Sequence, residues 1–149
     1  MKEGLPGGAH VPDPGKPRDI QDRAFRFACR LVPACESLGR RSATAAMIAR
    51  QLVRAGTSIG ANLEEACGAQ SRPDFIAKIG IALKEAREAN YWLRIAMATG
   101  QPLPSDAQAI AGECGELVAI LTAILRNARS ATRESVGQPS RSGAEGRRE

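Results

Sequence analysis

Arg54-Ala55-Gly56-Thr57-Ser58-Ile59-Gly60-Ala61-Asn62-Leu63-Glu64-Glu65-Ala66 is the stretch on which the fold turns. Apolar residues recur at Ile48, Leu52, Ala55, Ile59, Leu63 and Ala66. Steps of three and four place them on one stripe of a helix. Two glycines, Gly56 and Gly60, lie inside that helix, although each costs roughly 1 kcal/mol relative to Ala. A polar line, Gln51, Ser58, Asn62 and Glu65, runs beside the apolar one. A patterned breach of local rules marks a packing or functional requirement.

Working outward, the spacing predicts three more helices. The first covers residues 19–38, with the stripe Ile20, Ala24, Phe27, Ala28, Leu31, Cys35 and Leu38. Pro33 predicts a kink or break in it, because proline removes a backbone bond and clashes with the preceding turn. Ser42 is the expected N-cap of the second helix, which runs to Cys67. Gly68 is its C-cap, Ser71 caps the third helix, and Pro73 sits in that helix's first turn. The third helix covers 73–98, with core positions Phe75, Ile79, Ala82, Ala86, Ala89, Leu93 and Met97. Ser105 is the expected cap of the fourth, over 105–129, with Ile110, Cys114, Leu117, Leu121, Ile124 and Ala128 facing the core. Short connections make sequential helices antiparallel neighbours. The expected fold is all-α: an antiparallel up-down-up-down four-helix bundle over residues 18–130. Residues 1–17, rich in Pro and Gly, form the expected disordered N-terminal arm, and 131–149 the expected disordered tail.

Composition agrees. Only five of 149 residues are aromatic, so the core is built of small aliphatics that suit close helix packing. Nothing alternates like a strand. Residues 1–8 lack the apolar run of a signal peptide, and no C-x-x-C pair occurs among Cys29, Cys35, Cys67 and Cys114. The expectation is a cytoplasmic protein with reduced thiols. No apolar run approaches the ~20 residues of a membrane span, so no membrane role is expected.

The only histidine is His10, within the expected arm. That weighs against hydrolases, whose nucleophiles need a positioned base. No P-loop, dinucleotide fingerprint or Cys/His metal spacing is present. The expectation is no enzyme, no cofactor and no metal. The minor alternative is a carboxylate-bound metal on Glu65, Glu85 and Glu88.

Net charge is +5, from 21 basic and 16 acidic residues. Residues 19–57 hold seven arginines against three carboxylates, most of that excess. Arg23, Arg26 and Arg30 share one face of the first helix, with Arg40, Arg41 and Arg50 beyond its end. A coherent arginine face suits phosphate, and these six are the candidate nucleic-acid contacts, although aromatics for base stacking are missing. Arg54, Ser58, Asn62, Glu65, Glu85 and Glu88 are expected to form a polar network between helices that fixes register. Ala49, Gly56, Gly60 and Cys67 make a small-residue stripe. Gly56 and Gly60, with Ile81 and Trp92 on the third helix's flank, are the expected contacts between subunits.

The opening stretch resembles the R-A-x-S-I-x-x-N-I-A-E-G signature of the small four-helix proteins encoded by intervening sequences of bacterial 23S rRNA genes. Residues 75–93, FIAKIGIALKEAREANYWL, look like that family's third-helix pattern. Matching positions are Arg54, Ser58, Ile59, Asn62, Glu65, Phe75, Glu85 and Glu88. Leu63-Glu64 replaces the usual Ile-Ala, and Ala66 stands where Gly often ends the helix. The resemblance implies a cytosolic bundle that assembles into a homo-oligomer, typically a pentameric ring, with no enzymatic activity. The fold is similar to that of the diversity-generating retroelement accessory protein. By that analogy the expected partners are RNA or a reverse-transcriptase-like nucleoprotein. The competing expectation is an oligomeric protein-interaction scaffold that binds no nucleic acid.

Overall fold

The computed structural model describes residues 20–136 and shows four helices: α1 (Ile20–Gly39), α2 (Ala43–Cys67), α3 (Arg72–Ala98) and α4 (Ala107–Val136). Each packs on its sequence neighbours, α1 also meets α4, and no diagonal pair touches. That is the all-α antiparallel bundle the periodicity predicts. The arm expected over 1–17 and most of the tail expected over 131–149 lie outside the described residues. α4 itself continues to Val136, beyond the expected end.

Local chemistry sets the helix starts. Ser42 accepts the Ala45 N–H at 3.1 Å. Ser71 accepts the Asp74 N–H at 3.2 Å, and Asp74 accepts the Gln70 N–H at 3.2 Å. This reciprocal pair satisfies two donors that the first turn cannot. Gly100, after the end of α3, has φ 65°, a conformation suited to glycine.

Two local expectations fail, and one of the two outcomes expected of Pro33 is excluded. Ser105 does not cap α4; the helix begins at Ala107, and Ile110 N–H bonds the Asp106 carbonyl at 3.0 Å. Pro33 does not break α1. It and Cys29, whose carbonyl it leaves without a helical donor, are both exposed, so water can serve that carbonyl. Met97 is 37% exposed, while its neighbour Ala96 is fully buried.

The core is wholly apolar among the described residues; no polar or charged side chain is buried. Every position of the α2 stripe is buried. Phe27, Leu31 and Leu38 of α1, Ile79 and Leu93 of α3, and Ile110, Leu117 and Leu121 of α4 complete the same core. Gly56 permits the tightest approach. A Cβ there would stand 2.0 Å from Leu31 Cδ2 and 3.4 Å from Phe27 Cε1. At Gly60 the nearest atoms are those of Ala24, at 3.9 Å. Both glycines therefore face α1 of the same chain. Gly56 is thus filled from within the chain rather than between subunits, while Gly60 is half-buried and Cys67 exposed.

One compositional expectation also fails. Ala107–Thr132 of α4, 26 residues containing an 18-residue window of mean hydropathy 1.5, is long and apolar enough to cross a membrane by those measures alone. Its buried stripe packs as a core helix packs, yet only 28% of its most apolar window is covered.

Candidate nucleic-acid interface

The α1 arginines are held by carboxylates. Arg23 grips Glu113 of α4 with a fork, Nε to Oε1 at 2.8 Å and Nη2 to Oε2 at 3.0 Å. That hydrogen bond raises the Arg23 pKa, and Glu116 adds to the effect through space. Arg26 donates to Asp22 one turn earlier at 3.2 Å. Arg30 reaches Asp106 at 3.4 Å. The face expected to attract phosphate is thus largely neutralised; one pair ties α1 to α4 and another ties it to Asp106, the residue before α4. Sequence reading missed this because the partners lie 90 and 76 residues away.

Arg40, Arg41 and Arg50 differ. All three are exposed, and none forms an ion pair within the described residues. Arg50 lines a shallow cleft of about 310 Å³ between α1 and α2 with Gly39, the residue before Arg40. Glu36 and the apolar Val32 and Val53 share that cleft.

The α2–α3 edge carries a polar network, in a different form from the one expected. Arg54 bridges Glu85, at 3.3 Å, and Glu88. Trp92 Nε1 donates to the same Glu88 at 3.3 Å. The Arg54 hydrogen bond, helped by that of Trp92, holds the Glu88 carboxyl below the usual range. Glu65 instead pairs with Lys78, whose pKa that hydrogen bond raises. Ser58 and Asn62 join neither group. Ser58 Oγ donates to the Arg54 carbonyl and Asn62 Nδ2 to the Ser58 carbonyl, each at 2.8 Å within α2. These bonds lie at the surface, with the Arg54 side chain 50% exposed. Glu65 is not brought to Glu85 and Glu88, so the carboxylate metal site is not assembled. No group of three or more possible metal ligands occurs among the described residues.

Of the expected subunit contacts outside α2, Ile81 is 39% exposed. Trp92 is half-buried, its ring edge-on to Tyr91 with centroids 5.6 Å apart.

A basic group that the sequence reading passed over lies between α3 and α4. Arg87, Arg126 and Arg129 line one cleft with Leu83, Leu125, Thr122 and Ser130. The sequence holds a trace of it, since Arg126 and Arg129 are spaced i, i+3. Residues 105–130 are close to neutral as a segment, and that average hides the cluster.

The family described as 23S rRNA-intervening sequence protein matches residues 17–123. A 1.70 Å crystal structure of a protein of unknown function, from the S23 ribosomal protein family of Bacteroides thetaiotaomicron, superposes with a TM-score of 0.64. It is 36% identical, and the match covers 72% of this chain and 98% of that one. No match is found among curated proteins.

Proposed function

Because this chain belongs to the 23S rRNA-intervening sequence protein family, we propose that it is a non-enzymatic, oligomeric bundle of the cytoplasm that binds RNA or a nucleoprotein through a basic surface. The observation that carries this reading is the sorting of its charges. Asp22, Asp106 and Glu113 are committed to Arg23, Arg26 and Arg30, while Arg40, Arg41 and Arg50 are exposed and form no ion pair among the described residues. Free guanidinium groups on a rigid corner suit phosphate, which they bind with paired N–H donors. Repetition around an oligomer, for which a pentameric ring is the reading carried over from the family likeness, would add avidity.

The test is RNA retardation with the full chain. Replacing Arg40, Arg41 and Arg50 together by Ala lowers affinity and flattens the dependence of log K on log salt by about 2–3. Replacing Arg23, Arg26 and Arg30 loosens the fold more than it weakens RNA binding. No retardation of structured RNA at 50 mM salt would overturn the reading. The scaffold reading draws on exposed apolar side chains: Phe25 at 65%, Tyr91 at 55% and Ile81 at 39%. It predicts a partner whose capture is insensitive to salt and lost on Phe25→Ser or Tyr91→Ser.

A further inference from the structure

We propose that the cleft between α3 and α4 is a phosphodiester-binding groove that seats the backbone of an RNA strand, a site resting on the RNA-binding reading above. The cleft holds about 340 Å³. Arg87 enters from α3, and Arg126 and Arg129 from α4. The latter two stand about 4.5 Å apart along the helix axis, one turn of the same face. None of the lining residues is acidic. The paired carboxylates described on these helices serve other partners: Glu85 and Glu88 bind Arg54 of α2, Asp74 accepts from Gln70, and Glu113 binds Arg23 of α1.

The donors available to a ligand are the guanidinium groups. Thr122 Oγ1 already donates to the Val118 carbonyl at 2.7 Å, and Ser130 Oγ to the Arg126 carbonyl at 3.1 Å. The hydroxyls therefore offer lone pairs to the cleft rather than protons. Each arginine presents five N–H donors in a planar fork matched to phosphate oxygens. Leu83 and Leu125 form an apolar floor, 5% and 7% exposed, that keeps water from competing beneath the anion.

The basic line is extended and anchored at one end. Arg72, at the start of α3, crosses to α4, where Nη2 donates to the Ala128 carbonyl and Nε to Thr132 Oγ1, each at 3.0 Å. Arg72 thereby lies beside the Arg129 turn and fixes the two helices that frame the cleft. An open trough with successive cations along one wall fits a linear polyanion better than a single compact anion. Charges spaced along a strand also make binding fall steeply with salt.

The experiment uses the full chain, fluorescence anisotropy of a labelled single-stranded RNA 20-mer and of its DNA equivalent, and salt from 50 to 200 mM. The variant is Arg87→Gln/Arg126→Gln/Arg129→Gln, with circular dichroism to verify helix content. Because all three side chains are exposed, the fold is retained. The expected result is at least about a tenfold loss of RNA affinity near 100 mM salt, with the log–log slope reduced by about 0.7 per arginine. Unchanged affinity and slope overturn the groove. If the Arg40/Arg41/Arg50 variant then loses RNA, the RNA-binding reading stands without it. If wild-type protein binds no nucleic acid at 50 mM salt, both fall as statements about RNA. Equal loss for DNA and RNA supports the backbone as the recognised element. Titration with inorganic pyrophosphate, read from the arginine Nε NMR signals, covers the small-anion case. Saturable shifts at these three arginines without RNA binding overturn the strand as occupant.

Discussion

Gly56 and Gly80 are both glycines inside helices, and they should respond to alanine in opposite directions. At Gly56 the added methyl meets Leu31, whose side chain is fully buried and has nowhere to turn. Overpacking of this kind costs about 1–3 kcal/mol and exceeds the gain of roughly 1 kcal/mol in helix propensity. At Gly80 nothing lies within 4 Å, so Gly80→Ala should stabilise by up to about 1 kcal/mol. Urea denaturation of the two variants checks the pair, and a stabilised Gly56→Ala would refute the packing account. Thiols are graded the same way. Burial pushes Cys35 up to about 11 and Cys114 up to about 12, while Cys29 and Cys67 are exposed. A disulfide reagent at pH 8 should label Cys29 and Cys67 quickly and the other two only on unfolding. Sequence shows that Gly56 is small but not that Leu31 fills its space, so its role stayed illegible there.

For whole elements, periodicity was the readable quantity. The α2 stripe was legible to the last residue because its steps of four, three, four, four and three average the 3.6 residues of a helical turn. In α3 the reading drifted. Its last two steps, Ala89 to Leu93 to Met97, advance the azimuth by ~80° with no step of three to bring it back, as Ala66 does in α2, whereas Ala96 lies on the core face. Pairs between elements were illegible in part. Arg54, Glu85 and Glu88 could be guessed as partners because they flank one short loop. Arg23 with Glu113 could not, since nothing local selects that acid among the rest. The Arg54–Glu88 contact carries a pH signature. A carboxyl held below its usual value of 4.5 stabilises the fold above that pH, and the contribution fades as pH falls through the lowered pKa. The difference in Tm between wild type and Glu88→Gln should therefore shrink from pH 7 to pH 3. A difference constant across that range would remove the ion pair from the account.

For the whole molecule, Phe25, Val32, Met47, Ile81, Tyr91 and Met97 of α1, α2 and α3 leave apolar surface that one chain does not cover, and oligomeric assembly is the proposed remedy. Light scattering at micromolar concentration should give a multiple of the 15.8 kDa chain mass, and a monomer mass would refute assembly. The neighbour packing of the bundle closes between its first and last helices, and there the closure is thinnest. α1 and α4 meet least of all the packed pairs, and Arg23–Glu113 and Arg30–Asp106 tie them together. The Arg30–Asp106 pair is exposed and weakens as salt screens it, the part-buried Arg23–Glu113 pair less so. The first helix is therefore held to the fourth by an electrostatic latch, while its buried face stays packed on α2. Amide hydrogen exchange should quicken in α1 as ionic strength rises while α2 and α3 hold their protection.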